Sequence, residues 1–172
     1  YVGTAVSAGT ALFIANSIGL AASYRKGGAM SVKHADTTLA KANVPDRMSF
    51  SVAFVGIRGT TIGVRTSKDT WSRMRGLGSS TLPISEDWDT SVGADVLGPR
   101  LGQRVLQLRA GARWRTLPFG LATTAVKEKS ASFGFGTQFA RNRIGLDVTG
   151  IRALRDPVSS AVDLHEKAWT IS

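Results

Sequence analysis

The sequence predicts an all-β protein, an antiparallel up-and-down meander of about eight or nine strands that forms a transmembrane β-barrel or part of a larger one. Three observations predict it. Between Gln103 and Asp156 apolar and polar residues alternate over long stretches: Leu106, Leu108, Ala110, Ala112 and Trp114 against Val105, Gln107, Arg109, Gly111, Arg113 and Arg115. Period two is the signature of a strand, whose successive side chains point to opposite faces. The alternating runs are also long, roughly 10 to 13 residues, against about 5 to 6 for a soluble strand and roughly 9 to 11 for one that crosses a bilayer. The polar side, finally, is dense in arginine, glycine and serine with charges of both signs, as in a hydrated lumen.

Along the chain, Tyr1 to Thr10 carries little signal. From Ala11 to Arg25 the even positions are apolar except Asn16, which predicts a bend there. Arg25 to Gly28 reads as a hairpin turn because its glycines permit positive φ, with a short return strand through Met30, Val32 and His34. Asp36 to Asp46 reads as a loop, and Arg47 to Arg58 with Thr60 to Thr66 as a hairpin on Gly59. Lys68 to Asp87 is irregular, and Trp88 to Leu97 alternates again before a turn at Gly98 to Gly102. A strand from Glu128 to Phe139, a turn at Arg141 and Asn142, a strand from Arg143 to Thr149, a link from Pro157 to His165 and a final strand from Glu166 complete the meander. Residues 1–172 are read as one barrel domain, complete or the C-terminal part of a longer one.

Composition narrows the function classes. There is no cysteine, which removes disulfides and thiolate metal sites. No apolar run approaches the roughly 18 residues of a transmembrane helix. The net charge of +10 raises nucleic acid as a partner, but the basic residues are strand-alternate rather than clustered. A solvated polar face or anionic lipid headgroups explain them better. Trp71, Trp88, Trp114 and Trp169 fall at or near predicted strand ends, where an aromatic girdle meets the membrane interface.

Trp71 with the loop behind it, Asp87 to Asp95, Leu108 to Phe119, Val126 to Glu128, Gly134-Phe-Gly136, Leu146-Asp147 and Glu166 to Trp169 follow one another in an order and spacing with a precedent. This part of the chain resembles the C-terminal portion of the long-chain fatty-acid transporter (FadL, toluene-transporter) family of bacterial outer-membrane barrels. Members of that family are longer, with an N-terminal plug inside the barrel; upstream of Asp87 this chain shares only generic barrel strands with them. The resemblance implies a bacterial outer-membrane location, membrane lipid as a partner, and passive uptake of hydrophobic or amphipathic small molecules such as fatty acids.

On the polar face, Arg109, Arg113 and Arg115 form a ladder, with Asp95, Glu128 and Asp147 on strands near enough to pair with it. Charges withdrawn from water need such partners. Catalysis has poor candidates: His165 follows Asp163 closely, with Ser159 and Ser160 nearby, but no nucleophile motif accompanies them. His34 is isolated, no metal cluster is expected, and Gly134-Phe-Gly136 lacks the third glycine and the helix of a phosphate loop. No enzyme activity and no cofactor are expected. The alternatives to uptake are a small structural barrel with a filled polar lumen and no transport, and a soluble basic β-domain that binds nucleic acid.

Overall fold

The computed structural model describes residues 2–34, 37–77, 84, 86–102, 104–118, 125–139, 144–156 and 166–171. Ten strands form one antiparallel sheet: β1 (Val2–Ile14), β2 (Ile18–His34), β3 (Thr37–Asn43), β4 (Arg47–Phe54), β5 (Thr60–Asp69), β6 (Asp87–Leu101), β7 (Arg104–Thr116), β8 (Lys127–Phe139), β9 (Ile144–Arg155) and β10 (Glu166–Ile171). A 3-10 helix, Trp71–Leu77, lies between β5 and β6. Each strand pairs with its sequence neighbour except that both β3 and β4 pair with β2. The sheet is open, since among the described residues no ladder joins β1 to β10.

β3 and β4 lie end to end along the 17-residue β2, so the meander has nine crossings built from ten strands. The break has a chemical cause in Val44-Pro45-Asp46. Proline has no N–H to give the ladder and interrupts it, while Val44 on one side still donates to the Gly28 carbonyl at 3.0 Å. Two expectations are corrected here. Thr37–Asn43 is a strand rather than a loop, and Arg25 to Gly28 is the middle of β2 rather than a turn. Gly27 is needed for proximity instead: a Cβ there would lie 1.8 Å from the Val44 carbonyl oxygen.

Elsewhere the elements follow local chemistry. The bend at Asn16 is a tight turn in which Ala15 and Asn16 take φ of 48° and 52°, a conformation asparagine tolerates better than most residues. Of the stretch Tyr1 to Thr10, which carries little signal by itself, Val2 to Thr10 contributes most of β1, paired with β2 from Val2 to Ile14. Gly98 to Gly102 is not wholly a turn: β6 runs on to Leu101 through a bulge between Leu97 and Arg100, where Pro99 sits. The turn at Arg141 and Asn142 and the link from Pro157 to His165 lie outside the described residues.

The sheet has two chemically separate faces and no dry interior. Among the described residues no aliphatic, aromatic or methionine side chain is buried, and Pro45 at the β3–β4 break is the apolar exception. The ladders place Leu12, Leu20, Val52, Val64, Val92, Ala112 and Ala131 side by side on one face. The other face is hollowed between β5 and β10 into a concavity of about 760 Å³ lined by Gly63, Gly93, Gly111, Ser132, Arg109 and Glu128 among others.

The Gly27 packing gives a stability test. Gly27→Ala should cost about 1–3 kcal/mol, as overpacking against a fixed backbone does, measured by urea denaturation of the refolded protein. Gly145→Ala, where a Cβ meets nothing within 4 Å, should stay within about 0.5 kcal/mol.

Candidate functional site: the charged polar face

The ladder register determines which charges meet. Asp89, Arg115, Glu128, Arg155 and Glu166 occupy successive opposite positions across β6, β7, β8, β9 and β10. Glu128, only 6% exposed, is the centre of this row. It pairs with Arg115 at 2.7 Å through one oxygen and accepts from Arg155 Nε at 2.7 Å through the other. Arg155 continues the chain to Glu166 at 2.6 Å. Arg113, one row further in, turns diagonally and holds Asp89 with two guanidinium nitrogens, the Nε donating at 2.7 Å. On β4 and β5, Arg47 forks onto Asp69 at 2.8 and 2.6 Å, and Arg25 stands 3.9 Å from the same carboxylate.

A second cluster sits toward the opposite strand ends. Arg109 donates from Nε to Asp95 at 3.0 Å and from Nη1 to Asp147 at 2.6 Å, and Gln107 both donates to Asp95 and accepts from Arg109 at 3.0 Å. Asp147 is on β9, so the Arg109 bridge must pass over the whole of β8. Gly134 and Gly136 make that possible. A Cβ at Gly136 would lie 2.2 Å from Asp147 Oδ1, and one at Gly134 would lie 2.8 Å from Thr149 Oγ1. Between the two charged clusters runs a waist of small residues, Gly19, Ala53, Gly63, Gly93, Gly111 and Ser132, in one register row.

All six sequence-predicted charges therefore lie on the polar face, in two groups. Asp95, Arg109 and Asp147 form one, Arg115 and Glu128 belong to the other, and Arg113 pairs instead with Asp89. Asp89, Arg155, Glu166, Arg47 and Asp69 were not foreseen as members. Alternation already put Asp89 on the correct face, but only the register reveals which residue stands opposite it.

The aromatics divide as well. Trp88 lies beside Lys68 on the apolar face, its ring 5.5 Å from the ammonium. Trp114 lies beside Lys129, and Trp169, 71% exposed, lies under the Arg152 guanidinium at 5.3 Å. Trp88 and Trp114, with Tyr24 and Met48, edge the apolar face near the end that carries the Glu128 row, whereas Trp169 stands further in, in the row of Arg152, Ala131 and Ala112. Trp71 does not belong to the ring, because it sits in the 3-10 helix and on no strand.

At the same end, Asp46 fastens the β3–β4 break. It accepts from the Gly27 N–H at 2.8 Å and the Tyr24 hydroxyl at 3.4 Å, and it pairs with Arg73 of the 3-10 helix. The Gly27 N–H, aided by Arg73, holds the Asp46 carboxyl below the usual carboxylate range. No group of three or more metal-ligating side chains occurs among the described residues. His165, Asp163, Ser159 and Ser160 lie outside them. No family model, curated protein or solved structure matches the chain.

Two outcomes follow for variants. Glu128→Ala leaves two guanidiniums facing one another and should lower stability by roughly 2–3 kcal/mol, less than a fully buried pair because both arginines are about a third exposed. Asp147→Asn, at a half-exposed carboxylate, should cost under about 1 kcal/mol in the same denaturation assay. The pH dependence is local to the break. Asp46 titrates lower folded than unfolded, so its contribution is complete above the ordinary carboxylate value and disappears as pH falls through the folded one. Hydrogen exchange at the Gly27 amide should lose protection over that acid range, and Asp46→Asn should abolish the pH dependence.

Proposed function

We propose that the chain is the wall of a transmembrane β-barrel in a bacterial outer membrane, with the apolar face against lipid and the polar face toward a lumen. The observation that carries this reading is that, among the described residues, no aliphatic, aromatic or methionine side chain is buried while many stand exposed on one face. In water such a sheet lacks the burial that offsets chain entropy. Against hydrocarbon the same face is solvated, and the ladder satisfies the backbone polar groups. Strand length agrees. Thirteen residues, as in β1, β7 and β8, rise about 33 Å at about 3.3 Å per residue and a tilt of about 40°. Trp88 beside Lys68, Trp114 beside Lys129, and Tyr24 then form the interfacial girdle, with Trp169 set further in.

The activity proposed is passive uptake of hydrophobic or amphipathic small molecules such as fatty acids. Its support is the resemblance of the chain from Asp87 onward to the fatty-acid transporter family, together with the small-residue waist that leaves room on the polar face. A structural barrel without transport is the second reading. It is favoured by the degree to which Arg109, Arg113, Arg115 and Arg155 are already committed to carboxylates across the polar face.

The native protein should fractionate with the outer membrane and migrate differently before and after boiling in detergent; recovery in the soluble fraction with no shift would sink the barrel reading. Reconstituted vesicles that swell or take up an amphipathic solute support uptake, and tight vesicles support the structural alternative. Phe133→Lys on the apolar face should weaken bilayer insertion by about 2–4 kcal/mol if the site is near the midplane, whereas Thr149→Lys on the polar face should insert nearly as well as the parent.

A further inference from the structure

Most cations on the polar face touch a carboxylate; Arg65 acts on Asp89 only through space, without a hydrogen bond or ion pair to it. It projects from β5 on the polar side, in a register row with Ser51, Ser91, Arg113 and Ser130. Among the described residues it donates no hydrogen bond and makes no ion pair. Arg65 lines a polar hollow of about 400 Å³ together with Arg47, Ser67, Asp89, Ser91 and Arg113.

Within that hollow the one carboxylate, Asp89, is already taken. Arg113 grips Asp89 with two nitrogens, and Arg47 forks onto Asp69 just outside. In the wider neighbourhood Arg25, Arg47, Arg65 and Arg113 face Asp69, Asp87 and Asp89, so one positive charge is left over. Arg65 is the arginine of that set without a direct carboxylate contact, since Arg25 and Arg47 share Asp69 and Arg113 holds Asp89.

We infer that this hollow binds a tetrahedral oxyanion, a phosphate or phosphate ester, with Arg65 as the principal contact. An arginine fork matches the oxygens of such a group and makes short, charge-assisted hydrogen bonds to it. Arg47 and Arg113 flank the site with donors left over from their own pairs, and the Ser67 and Ser91 hydroxyls add two more. Donors approaching from four strands, β4 to β7, suit a tetrahedral group better than a planar carboxylate, whose two oxygens would leave several of them idle. Asp89 opposes any anion, but its charge is spent on Arg113. The polar face lies across the sheet from the apolar one, so the phosphate is a solute's and not a lipid headgroup's. The site goes beyond the proposed uptake, because it exists whether or not the lumen conducts.

The test is titration of inorganic phosphate into the full refolded chain in zwitterionic detergent, at constant chloride, followed by calorimetry. Saturable binding should appear and weaken roughly tenfold or more in Arg65→Gln, the loss of about one charge-assisted contact. Arg65→Lys, which keeps the charge without the fork, should fall between, and Arg152→Gln on the apolar face should match the parent. Absence of saturable phosphate binding, or equal binding by parent and Arg65→Gln, overturns the proposal. So does binding to phosphatidylglycerol vesicles, absent with phosphatidylcholine, that accounts for the phosphate affinity and ignores Arg65→Gln. Heat-dependent mobility of each variant is read in parallel. Phosphate binding without that mobility shift would overturn the barrel and leave the site standing, and a mobility shift without binding would do the reverse.

Discussion

The backbone groups in the interior of a sheet are satisfied by its ladders, so what is left to be solvated is the two arrays of side chains that the ladder holds apart. In this chain the carboxylates of the strands keep to one array, while cations such as Lys68, Lys129 and Arg152 also stand on the other. Carboxylates of the strands, from Asp69 to Glu166, stand on one face, and the long apolar side chains stand mainly on the other. The consequence is a sheet in which, among the described residues, no aliphatic, aromatic or methionine side chain is buried. Stability then rests on the ladders, on ion pairs within the polar face, and on whatever covers the apolar face.

The polar face is arranged around that constraint. Arginine reaches about the width of one strand spacing, so neighbouring strands can be cross-tied by direct opposition, as in the Arg115–Glu128–Arg155–Glu166 row. Longer ties need an unobstructed path. Arg109 reaches Asp147 two strands away because β8 presents Gly134 and Gly136 beneath the bridge. The glycines are therefore part of the charge network, although they contribute no charge. The same economy of space explains Gly27, which lets the proline-broken β3–β4 path close against β2.

Face assignment was legible in the sequence because it is a local property of period two. Every one of Asp95, Arg109, Arg113, Arg115, Glu128 and Asp147 could be placed on the polar side from its neighbours alone. Partnership was not legible, because it depends on register between segments up to 38 residues apart, as for Arg109 and Asp147. Hence Asp89, which takes Arg113, was overlooked. The glycines at 27 and 28 were misread for a related reason. A turn and a close approach both select glycine, and only the presence of Val44 against Gly27 distinguishes them. The strand Thr37–Asn43 was hidden because Pro45 and the polar threonines resemble a loop when its pairing to β2 is unknown.

A membrane-spanning sheet must present its two faces to different solvents. The chain has no cysteine, so single cysteines can be introduced along β7 and β8, spin-labelled, and compared in vesicles for collision with oxygen, which concentrates in lipid, and with a water-soluble nickel chelate. Positions 108, 110, 112, 131, 133 and 135 should favour oxygen, and positions 107, 109, 111, 130, 132 and 134 should favour nickel, alternating residue by residue. Equal nickel access on both faces, or oxygen preference at the second set, would contradict the account.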